Sequence, residues 1–264
     1  MSVERASPDH PSWAKHASHH IARYLFASEF VVGRRVLDAG CGSGYGAVLL
    51  REAGAASVVG VDIDPQAVRA AQENYGGSGI EFLTDDCQQL QQVSGPFDVI
   101  CNFENIEHLP HPEQFLKAAG RVLAPEGVLL VSTPDRGNMP PYREGKPANP
   151  YHHQEWYYDD FAAFLSEHFA SVEVRTQVEA TAVTARKRAV KILRQALLWA
   201  NPLTLLPWRW WSRDSASGQR SWRVLDDLAT SGPADYPVVS RRVAPILGRS
   251  CWHLAVCQHP RTVR

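Results

Sequence analysis

The fold of this chain is decided by the stretch VLDAGCGSGYG, residues 36–46. An apolar strand ends at Leu37, a carboxylate follows at Asp38, and alternating glycines lead into a helix predicted to begin near Tyr45. Glycine is needed where the backbone takes a positive φ or approaches a ligand without a Cβ in the way. Such a loop at the carboxyl end of a strand is typical of a nucleotide-like cofactor site, although a tight strand-to-helix turn would also explain the glycines.

A second strand strengthens the prediction of a cofactor site. The run Ser57–Asp62 ends in an acid about twenty residues after the loop, where a carboxylate can hold ribose hydroxyls. The glycine spacing differs from the dinucleotide fingerprint G-x-G-x-x-G, whose last glycine would fall at Tyr45. The loop and the spaced acid together predict a cofactor that is not a dinucleotide.

Short β-rich runs alternate with helical stretches along most of the chain. We predict a helix over 12–28 and strands at 34–39, 57–62, 80–84, 97–102, 127–132, 170–174 and 252–257. This alternation favours a parallel sheet covered by helices on both faces. The fifth run is apolar through its centre, as expected for a strand buried on both sides. The chain is therefore predicted to have a Rossmann-like α/β fold.

The composition fits one well-cored α/β domain with an elaboration, since the chain has 264 residues. A formal net charge of −1 provides no global field that would recruit a polyanion. The five cysteines form no CxxC pair and are expected to be reduced core thiols. No signal-peptide pattern opens the sequence, and no uncharged apolar run reaches the roughly eighteen residues of a membrane span, so we expect a cytoplasmic protein.

Residues 178–249 are too long for a hairpin turn and are predicted to form a helical insertion. Residues 185–200 have the pattern of a basic amphipathic helix, an aromatic cluster follows at 208–211, and the segment 185–213 contains no acidic residue. This pattern is typical of a segment in a membrane interface, which would place the chain peripherally on the inner membrane face. Alternatively, the segment is a lid that packs on its own domain or on a second subunit of a homodimer.

The glycine loop, the acid at Asp62 and the order of elements resemble the class I S-adenosylmethionine-dependent methyltransferases, over about residues 15–180 and the last strand. The resemblance implies S-adenosyl-L-methionine as the cofactor and a seven-stranded sheet whose last strand inserts antiparallel. It also implies four regions: an N-terminal cap helix region (1–32), a cofactor-binding core (33–177), a helical insertion or lid (178–249), and the final core strand with a tail (250–264).

The resemblance assigns cofactor contacts to individual residues. Asp62 would hold both ribose hydroxyls, with Ile63 packing on the adenine. Asp86 and Cys87 match the position that reads the adenine edge, although neighbouring Asp85 leaves the register open by one residue. The residues implied at the amino-acid portion and methionine end of the cofactor are Asp38, Gly40, Gly42, Gly44, Asn102 and Phe103.

Acids and histidines gather in two segments that follow the fourth and fifth strands. Glu104, Glu107 and His108 can converge within one helical turn. Farther on, His152 and His153 precede a helix predicted near residue 159. Two carboxylates and two imidazoles form a mixed oxygen and nitrogen set that a divalent ion could use.

The pattern E-x-x-E-H followed by H-x-x-E-W resembles metal-dependent O-methyltransferases, among them the small-RNA 3′-end 2′-O-methyltransferases and the ubiquinone-pathway O-methyltransferases. The resemblance implies Mg²⁺ or another divalent cation held by Glu104, Glu107, His108 and His152. Alternatively, no metal binds, and Glu107 and His108 cap the following helix and shape the methionine pocket. In that case His108, His152 or His153 is the candidate general base, since histidine titrates near neutrality.

The acceptor is predicted from a further resemblance. The stretches His20–Ala27, Gly44–Gly46 and Ser132–Asp135 resemble methyltransferases of bacterial glycan and glycolipid assembly, which methylate sugar hydroxyls. We therefore predict O-methylation of a hydroxyl on a carbohydrate or glycolipid. The alternatives are a phenolic, quinone-type or other lipophilic metabolite, then RNA, which the near-neutral charge disfavours. A cofactor-binding protein without catalysis is a further alternative.

Overall fold

The computed structural model describes residues 13–77, 79–180, 212–213, 220–221, 236, 238–240 and 248–261. The helices of this part are α1 (Trp13–Val31), α2 (Tyr45–Glu52), α3 (Pro65–Tyr75), α4 (Pro112–Val122) and α5 (Tyr158–Ser166). Its strands are β1 (Arg35–Ala39), β2 (Ser57–Asp62), β3 (Ile80–Thr84), β4 (Phe97–Phe103), β5 (Leu123–Pro134), β6 (Phe169–Ala180), β7 (Ser212–Arg213), β8 (Arg220–Ser221), β9 (Val238–Ser240) and β10 (Gly248–Pro260).

The main sheet has the order β3-β2-β1-β4-β5-β10-β6-β9. Strands β1 to β5 pair in parallel, and β10 lies antiparallel between β5 and β6. The predicted Rossmann-like α/β fold with an antiparallel late strand is therefore confirmed. The carboxyl ends of β1, β2 and β4 lie side by side, so the loops that follow them form one edge of the sheet.

The predicted count of seven strands is corrected to eight in the main sheet. Strand β9 pairs antiparallel with β6, with Val239 opposite Thr176. This strand has only three residues, too few to give an alternating pattern that sequence reading could detect. Strands β6 and β10 also extend beyond the predicted core, to Ala180 and back to Gly248. Part of the predicted insertion therefore belongs to the sheet.

Side chains of the central strands alternate between two apolar layers because successive residues point to opposite faces. On one face, Leu37 and Ile100 belong to the same apolar cluster as Phe115 of α4 and Phe161 of α5. The opposite layer contains Val36, Val99 and Leu130 together with Tyr24 of α1, Leu50 of α2 and Ala71 of α3. Helices thus cover both faces, as predicted.

The segment 185–213, apart from Ser212–Arg213, lies outside the described residues, and so do its predicted helix and aromatic cluster. Strands β7 and β8 pair with each other in a separate two-stranded sheet. Among the described helices, none combines the length and the apolar character that crossing a bilayer requires. All five cysteines are free thiols, and Cys251 alone among them is not fully buried.

Candidate active site

A cavity of about 830 Å³ opens at the carboxyl ends of β1, β2 and β4. Its size is within the range of small-molecule and cofactor sites. The lining residues come from α1, the glycine loop, the ends of β2 and β4, and two later loops. They are His20, Tyr24, Gly40, Cys41, Gly42, Tyr45, Asp62, Ile63, Asp86, Cys87, Gln88, Phe103, Glu104, Asn105, His108, Leu109, Pro110, Pro150, Tyr151 and His153.

The loop after β1 requires glycine because its backbone takes positive φ values and because side chains of other segments pack directly against it. Gly40, Gly42 and Gly44 have φ values of 83°, 55° and 84°, in the left-handed region. A Cβ on Gly40 would lie 2.7 Å from Cγ of Asn105, and a Cβ on Gly44 would lie 2.8 Å from the Phe82 ring. Gly40 and Gly42 line the cavity, whereas Gly44 packs behind its wall.

Asp62 joins the glycine loop to the end of β2. Its Oδ2 accepts a hydrogen bond from the Gly42 amide at 3.0 Å, and its Oδ1 accepts one from the Asp64 amide at 2.9 Å. Ile63, the next residue, is 67% exposed on the cavity wall, where an apolar side chain can cover a flat ring.

The two acids after β3 have different positions. The Asp85 carboxylate accepts hydrogen bonds from the amides of Gln91 and Gln92, at 3.2 and 2.8 Å, and does not line the cavity. Asp86 and Cys87 do line it. The register that the sequence left open therefore favours Asp86 as the cavity residue.

Helix α1 closes one side of the cavity through Tyr24. The Tyr24 hydroxyl lies 3.2 and 3.3 Å from the two carboxylate oxygens of Asp38. Its ring meets those of Tyr45 and Phe103 edge to face. The ring also occupies the place where a Cβ on Gly46 would be, so only glycine at this position lets α1 dock as observed.

Asp38 stands behind the cavity wall and is almost completely buried. Burial raises the pKa of its carboxyl from 3.8 to about 7, the Tyr24 hydrogen bond opposes this rise, and the nearby charge of Asp62 adds to it. The carboxyl of Asp38 therefore titrates close to neutral pH.

Asn102 does not line the cavity, contrary to its predicted place at the methionine end. Its side chain is completely buried, and Nδ2 donates a hydrogen bond to the carbonyl of Ala39 at 2.9 Å. The alternation of a strand explains the difference, because Asn102 and Phe103 point to opposite faces of β4. Phe103 is the residue that lines the cavity.

Three of the four predicted metal ligands come together. Glu107, His108 and His152 each offer one ligand atom, and these atoms lie within 4.8 Å of one another. Glu107 and His108 belong to a single 3₁₀ turn, Ile106–His108, and His152 reaches them from the loop before α5. The rings of His108 and His152 are 4.9 Å apart, centre to centre.

Glu104 lies outside this cluster, which corrects its prediction as a fourth ligand. Its Oε2 lies 3.5 Å from Nη2 of Arg23, and Ser132 Oγ donates a hydrogen bond to its Oε1 at 3.2 Å. The spacing of Glu104 and Glu107 suggested one helical turn, but Glu104 directly follows β4, has a φ of 52° and precedes the 3₁₀ turn that contains Glu107. The two acids therefore point in different directions.

Glu107, the acid of the cluster, is buried. Glu107 is 1% exposed, and its Oε2 has no hydrogen-bond partner. Burial raises its pKa well above the usual range, and the charge of Glu104 raises it further. A bound cation would favour the ionised form, because an opposite charge nearby stabilises a carboxylate.

His152 is fixed by partners on both ring nitrogens. Nδ1 lies 2.9 Å from Oε1 of Glu155, and Nε2 lies 3.0 Å from Nδ2 of Asn149. The carboxylate can only accept and the amide nitrogen can only donate, so the contacts assign the proton to Nδ1 and a lone pair to Nε2. Glu155 is held in turn by Arg136, whose Nε lies 3.5 Å from Oε2.

His108 and His153 are held by hydrogen bonds that involve the backbone. Nδ1 of His108 lies 3.0 Å from the carbonyl of Tyr151, which sets Nδ1 as the donor. The amide of His153 donates to the carbonyl of Glu107 at 2.8 Å, which ties this loop to the 3₁₀ turn. The predicted base candidates His108 and His153 line the cavity, while His152 stands just behind them.

A family profile described as "Methyltransferase domain" matches residues 13–181. The match covers the glycine loop, Asp62 and the whole Glu107–His152 region. The chain belongs to this family. The predicted membership among the class I S-adenosylmethionine-dependent methyltransferases is thereby confirmed at the level of the family.

Relatives support the assignment of this methyltransferase domain. A probable S-adenosylmethionine-dependent methyltransferase of Mycolicibacterium smegmatis is 41% identical over 136 residues, 52% of this chain and 51% of that protein. A ubiquinone biosynthesis O-methyltransferase of Neisseria meningitidis is 29% identical over 114 residues, 42% of this chain and 48% of that protein. The chain thus spans about half the length of these curated relatives.

Solved structures share the fold of the methyltransferase domain. An S-adenosylmethionine-dependent methyltransferase of Thermotoga maritima superposes with a TM-score of 0.59 at 14% identity, covering 94% of this chain and 93% of that one. The [4+2]-cyclase SpnF superposes with a TM-score of 0.56 at 16% identity, covering 96% and 85%. Likeness at this level establishes the architecture only.

Sequence reasoning missed three groups of this methyltransferase site. Tyr24 was expected to be buried, but its contact with Asp38 was not predicted, although the glycine at 46 inside a helix start was a sign of a close approach. Glu155 appeared in the H-x-x-E-W pattern without a role. Arg23 could not be noticed, because an arginine in a surface-like helix pattern is usually solvated.

Proposed function

We propose that this chain is an S-adenosyl-L-methionine-dependent O-methyltransferase that acts on a hydroxyl of a carbohydrate or glycolipid. The observation that carries the proposal is the convergence of Glu107, His108 and His152 beside the cavity that holds the glycine loop and Asp62. A cofactor site and a group suited to activate a hydroxyl lie at one edge of the sheet.

The cofactor half of the cavity suits a sulfonium nucleoside. In the proposal the loop residues Gly40 and Gly42, which line the cavity, hold the amino-acid portion, while Asp38 and Gly44 support the loop from behind. Asp62 holds the ribose, Ile63 packs on the adenine face, and Asp86 and Cys87 contact the adenine edge. When bound, S-adenosyl-L-methionine supplies a methyl group that is already activated on sulfur. The protein then has to align the acceptor, exclude water and accept the proton that the acceptor hydroxyl loses.

An alcohol gives up its proton reluctantly near neutral pH, so O-methylation needs a base, a Lewis acid or both. His108 and His153 line the cavity as base candidates. The set of Glu107, His108 and His152 also offers ligands to a divalent cation, because Glu107 Oε2 is buried without a hydrogen-bond partner and His152 Nε2 would exchange its hydrogen bond from Asn149 for the metal. Such a cation would lower the pKa of the acceptor hydroxyl. One oxygen and two nitrogen donors suit Mn²⁺ or Zn²⁺ better than Mg²⁺.

A phenolic, quinone-type or lipophilic acceptor is the second candidate. It is supported by the named ubiquinone biosynthesis O-methyltransferase and by a phthiotriol/phenolphthiotriol dimycocerosates methyltransferase of Mycobacterium leprae, 36% identical over 101 residues, 38% of this chain and 37% of that protein. Tyr24, Tyr45, Phe103 and Tyr151 on the cavity wall would stack on either a phenol or a sugar ring. A cofactor-binding protein without catalysis remains the third alternative.

The test is incubation of the full chain with methyl-labelled S-adenosyl-L-methionine and four acceptor classes: methyl glycosides with glycolipids, catechols with quinols, amines, and RNA. We expect label in hydroxyl acceptors, most in the saccharide class, and none in RNA. Transfer to catechols alone would select the second candidate. Transfer to amines alone would contradict O-methylation, and cofactor binding with no transfer would favour the non-catalytic alternative.

A further inference from the structure

A buried arginine lies directly behind the cavity wall. Arg23 of α1 is completely buried, and its Nε donates a hydrogen bond to Oε1 of Gln177 at 3.0 Å. Its guanidinium carbon lies 4.8 Å from the centre of the Trp252 ring. Neither terminal nitrogen has a hydrogen-bond partner, and Nη2 lies 3.5 Å from Oε2 of Glu104. A buried cation of this kind needs an anion beside it, and Glu104 is the carboxylate that the structure places there.

Glu104 is fixed in place on the cavity side of this pair. Its amide donates to the carbonyl of Ser132 at 3.2 Å, and Ser132 Oγ donates to its Oε1 at 3.2 Å. Its φ of 52° is unusual for a residue other than glycine, and strain of this kind persists where the position of a side chain matters. The side chain is 16% exposed, and it lines the cavity. Glu104 therefore presents its carboxylate at a defined point of the cavity wall.

A metal ion does not account for this carboxylate. The cluster of potential ligand atoms in the described residues consists of Glu107, His108 and His152 and leaves Glu104 out. The two acids of the E-x-x-E-H pattern thus have separate tasks.

We propose that Glu104 is an acceptor-binding residue whose carboxylate accepts a hydrogen bond from a second hydroxyl of the acceptor, next to the hydroxyl that is methylated. The inference rests on the proposed O-methyltransferase function. A carboxylate paired with an arginine accepts hydrogen bonds, so the partner on the acceptor must be a donor. The ligand class is a neutral compound with more than one hydroxyl, and an acceptor with an anionic group at this place would be repelled.

The test compares Glu104→Gln with wild type on pairs of acceptors that differ by one hydroxyl. The pairs are catechol with phenol, and methyl glucoside with its monodeoxy derivatives. For the acceptor that carries the additional hydroxyl, KM should rise roughly 10- to 100-fold, which corresponds to the loss of one hydrogen bond to a charged group. KM for the deoxy member and the dissociation constant of S-adenosylhomocysteine should each change less than about twofold. Glu126→Gln, an exposed acid at the opposite end of β5, is the matched control and should change nothing.

The double variant Arg23→Met with Glu104→Gln removes both charges and serves if the single variant unfolds, since no unpaired charge is then left buried. Three results would overturn the inference: equal loss on both members of a pair, a matching loss of S-adenosylhomocysteine affinity, or a loss of Mn²⁺ binding. The first would mean general distortion, the second contact with the cofactor, and the third metal ligation. A wild-type chain that methylates amines and no hydroxyl would refute the proposed function, and the role of Glu104 with it.

Discussion

Replacing Gly46 by alanine should undock helix α1 from the cofactor loop. A Cβ at this position would fall closer to the Tyr24 ring than the 3.0 Å that real Cβ contacts respect. Restoring an ordinary carbon contact requires the ring to move by roughly 1 Å or more. The Tyr24 hydroxyl lies 3.2 and 3.3 Å from the oxygens of Asp38, so this movement takes it out of hydrogen-bond range.

The expected loss of stability follows from the hydrogen bond that Tyr24 no longer donates to Asp38. Leaving a buried carboxyl without its partner costs about 1–3 kcal/mol. Alanine in a helix contributes about 0.5–1 kcal/mol in the opposite direction relative to glycine. We therefore expect Gly46→Ala to lower the free energy of unfolding by about 1–2 kcal/mol in urea denaturation, and to weaken S-adenosylhomocysteine binding in calorimetry.

Two comparisons can refute this reasoning. Gly120→Ala, in helix α4, places a Cβ 3.1 Å from Pro260 Cβ and should be nearly neutral. In a Tyr24→Ala background the clash is absent, so Gly46→Ala should no longer destabilise the chain, and the two effects should be strongly non-additive. If Gly46→Ala costs the same with and without the Tyr24 ring, the ring is not the reason for glycine at 46.

Four further predictions concern the cofactor, pH, the metal and the membrane. Asp62→Ala should weaken S-adenosylhomocysteine binding by about 2–3 kcal/mol in calorimetric titration, the range for charged hydrogen bonds. The raised pKa of Asp38, about 7 against 3.8, means that its stabilisation is complete in acid and is lost as pH rises through 7. Asp38→Asn should therefore flatten this part of the stability–pH curve, measured by urea unfolding. A chelator should abolish turnover and Mn²⁺ should restore it better than Mg²⁺, while Glu107→Ala or His152→Ala should lose roughly a hundredfold in rate with cofactor binding intact. If the segment 185–213 meets a bilayer, the chain should bind anionic vesicles at low salt and be released by added salt.

Each of these has an outcome that contradicts it. Unchanged affinity in a folded Asp62→Ala variant would remove this acid from the site. A stability–pH curve that Asp38→Asn leaves unaltered would mean that another group titrates. Full turnover after exhaustive chelation, together with an inactive His108→Ala variant, would establish metal-free general-base catalysis. A chain that stays in the supernatant with anionic vesicles at low salt has a lid or a subunit contact at 185–213.

Sequence reading predicted the features that depend on local spacing and failed where the third dimension decides. The glycine loop, Asp62 and the order of the core strands follow from periodicity and chain distance, and they needed no tertiary information. Glu104 was predicted as a metal ligand because its spacing from Glu107 was interpreted as one helical turn. The chain at Glu104 instead leaves strand β4 in a left-handed conformation. Asn102 was misplaced because the face of β4 that meets the cavity depends on register, which a one-residue shift reverses. The contacts of Tyr24 could not be predicted, because helix α1 packs on residues that are distant from it in the sequence, Asp38 and Gly46.

The position of β10 has a consequence for synthesis of the chain. This strand pairs with β5 on one side, from Trp252 opposite Pro134 to Gln258 opposite Val128, and with β6 on the other. Until residues 248–260 leave the ribosome, β5 and β6 each keep an open edge, for a time on the order of ten seconds at typical translation rates. Open strand edges attract other chains. The nascent chain therefore depends on a late strand to close its sheet from within, and premature termination before residue 248 should yield aggregates in place of a smaller folded domain.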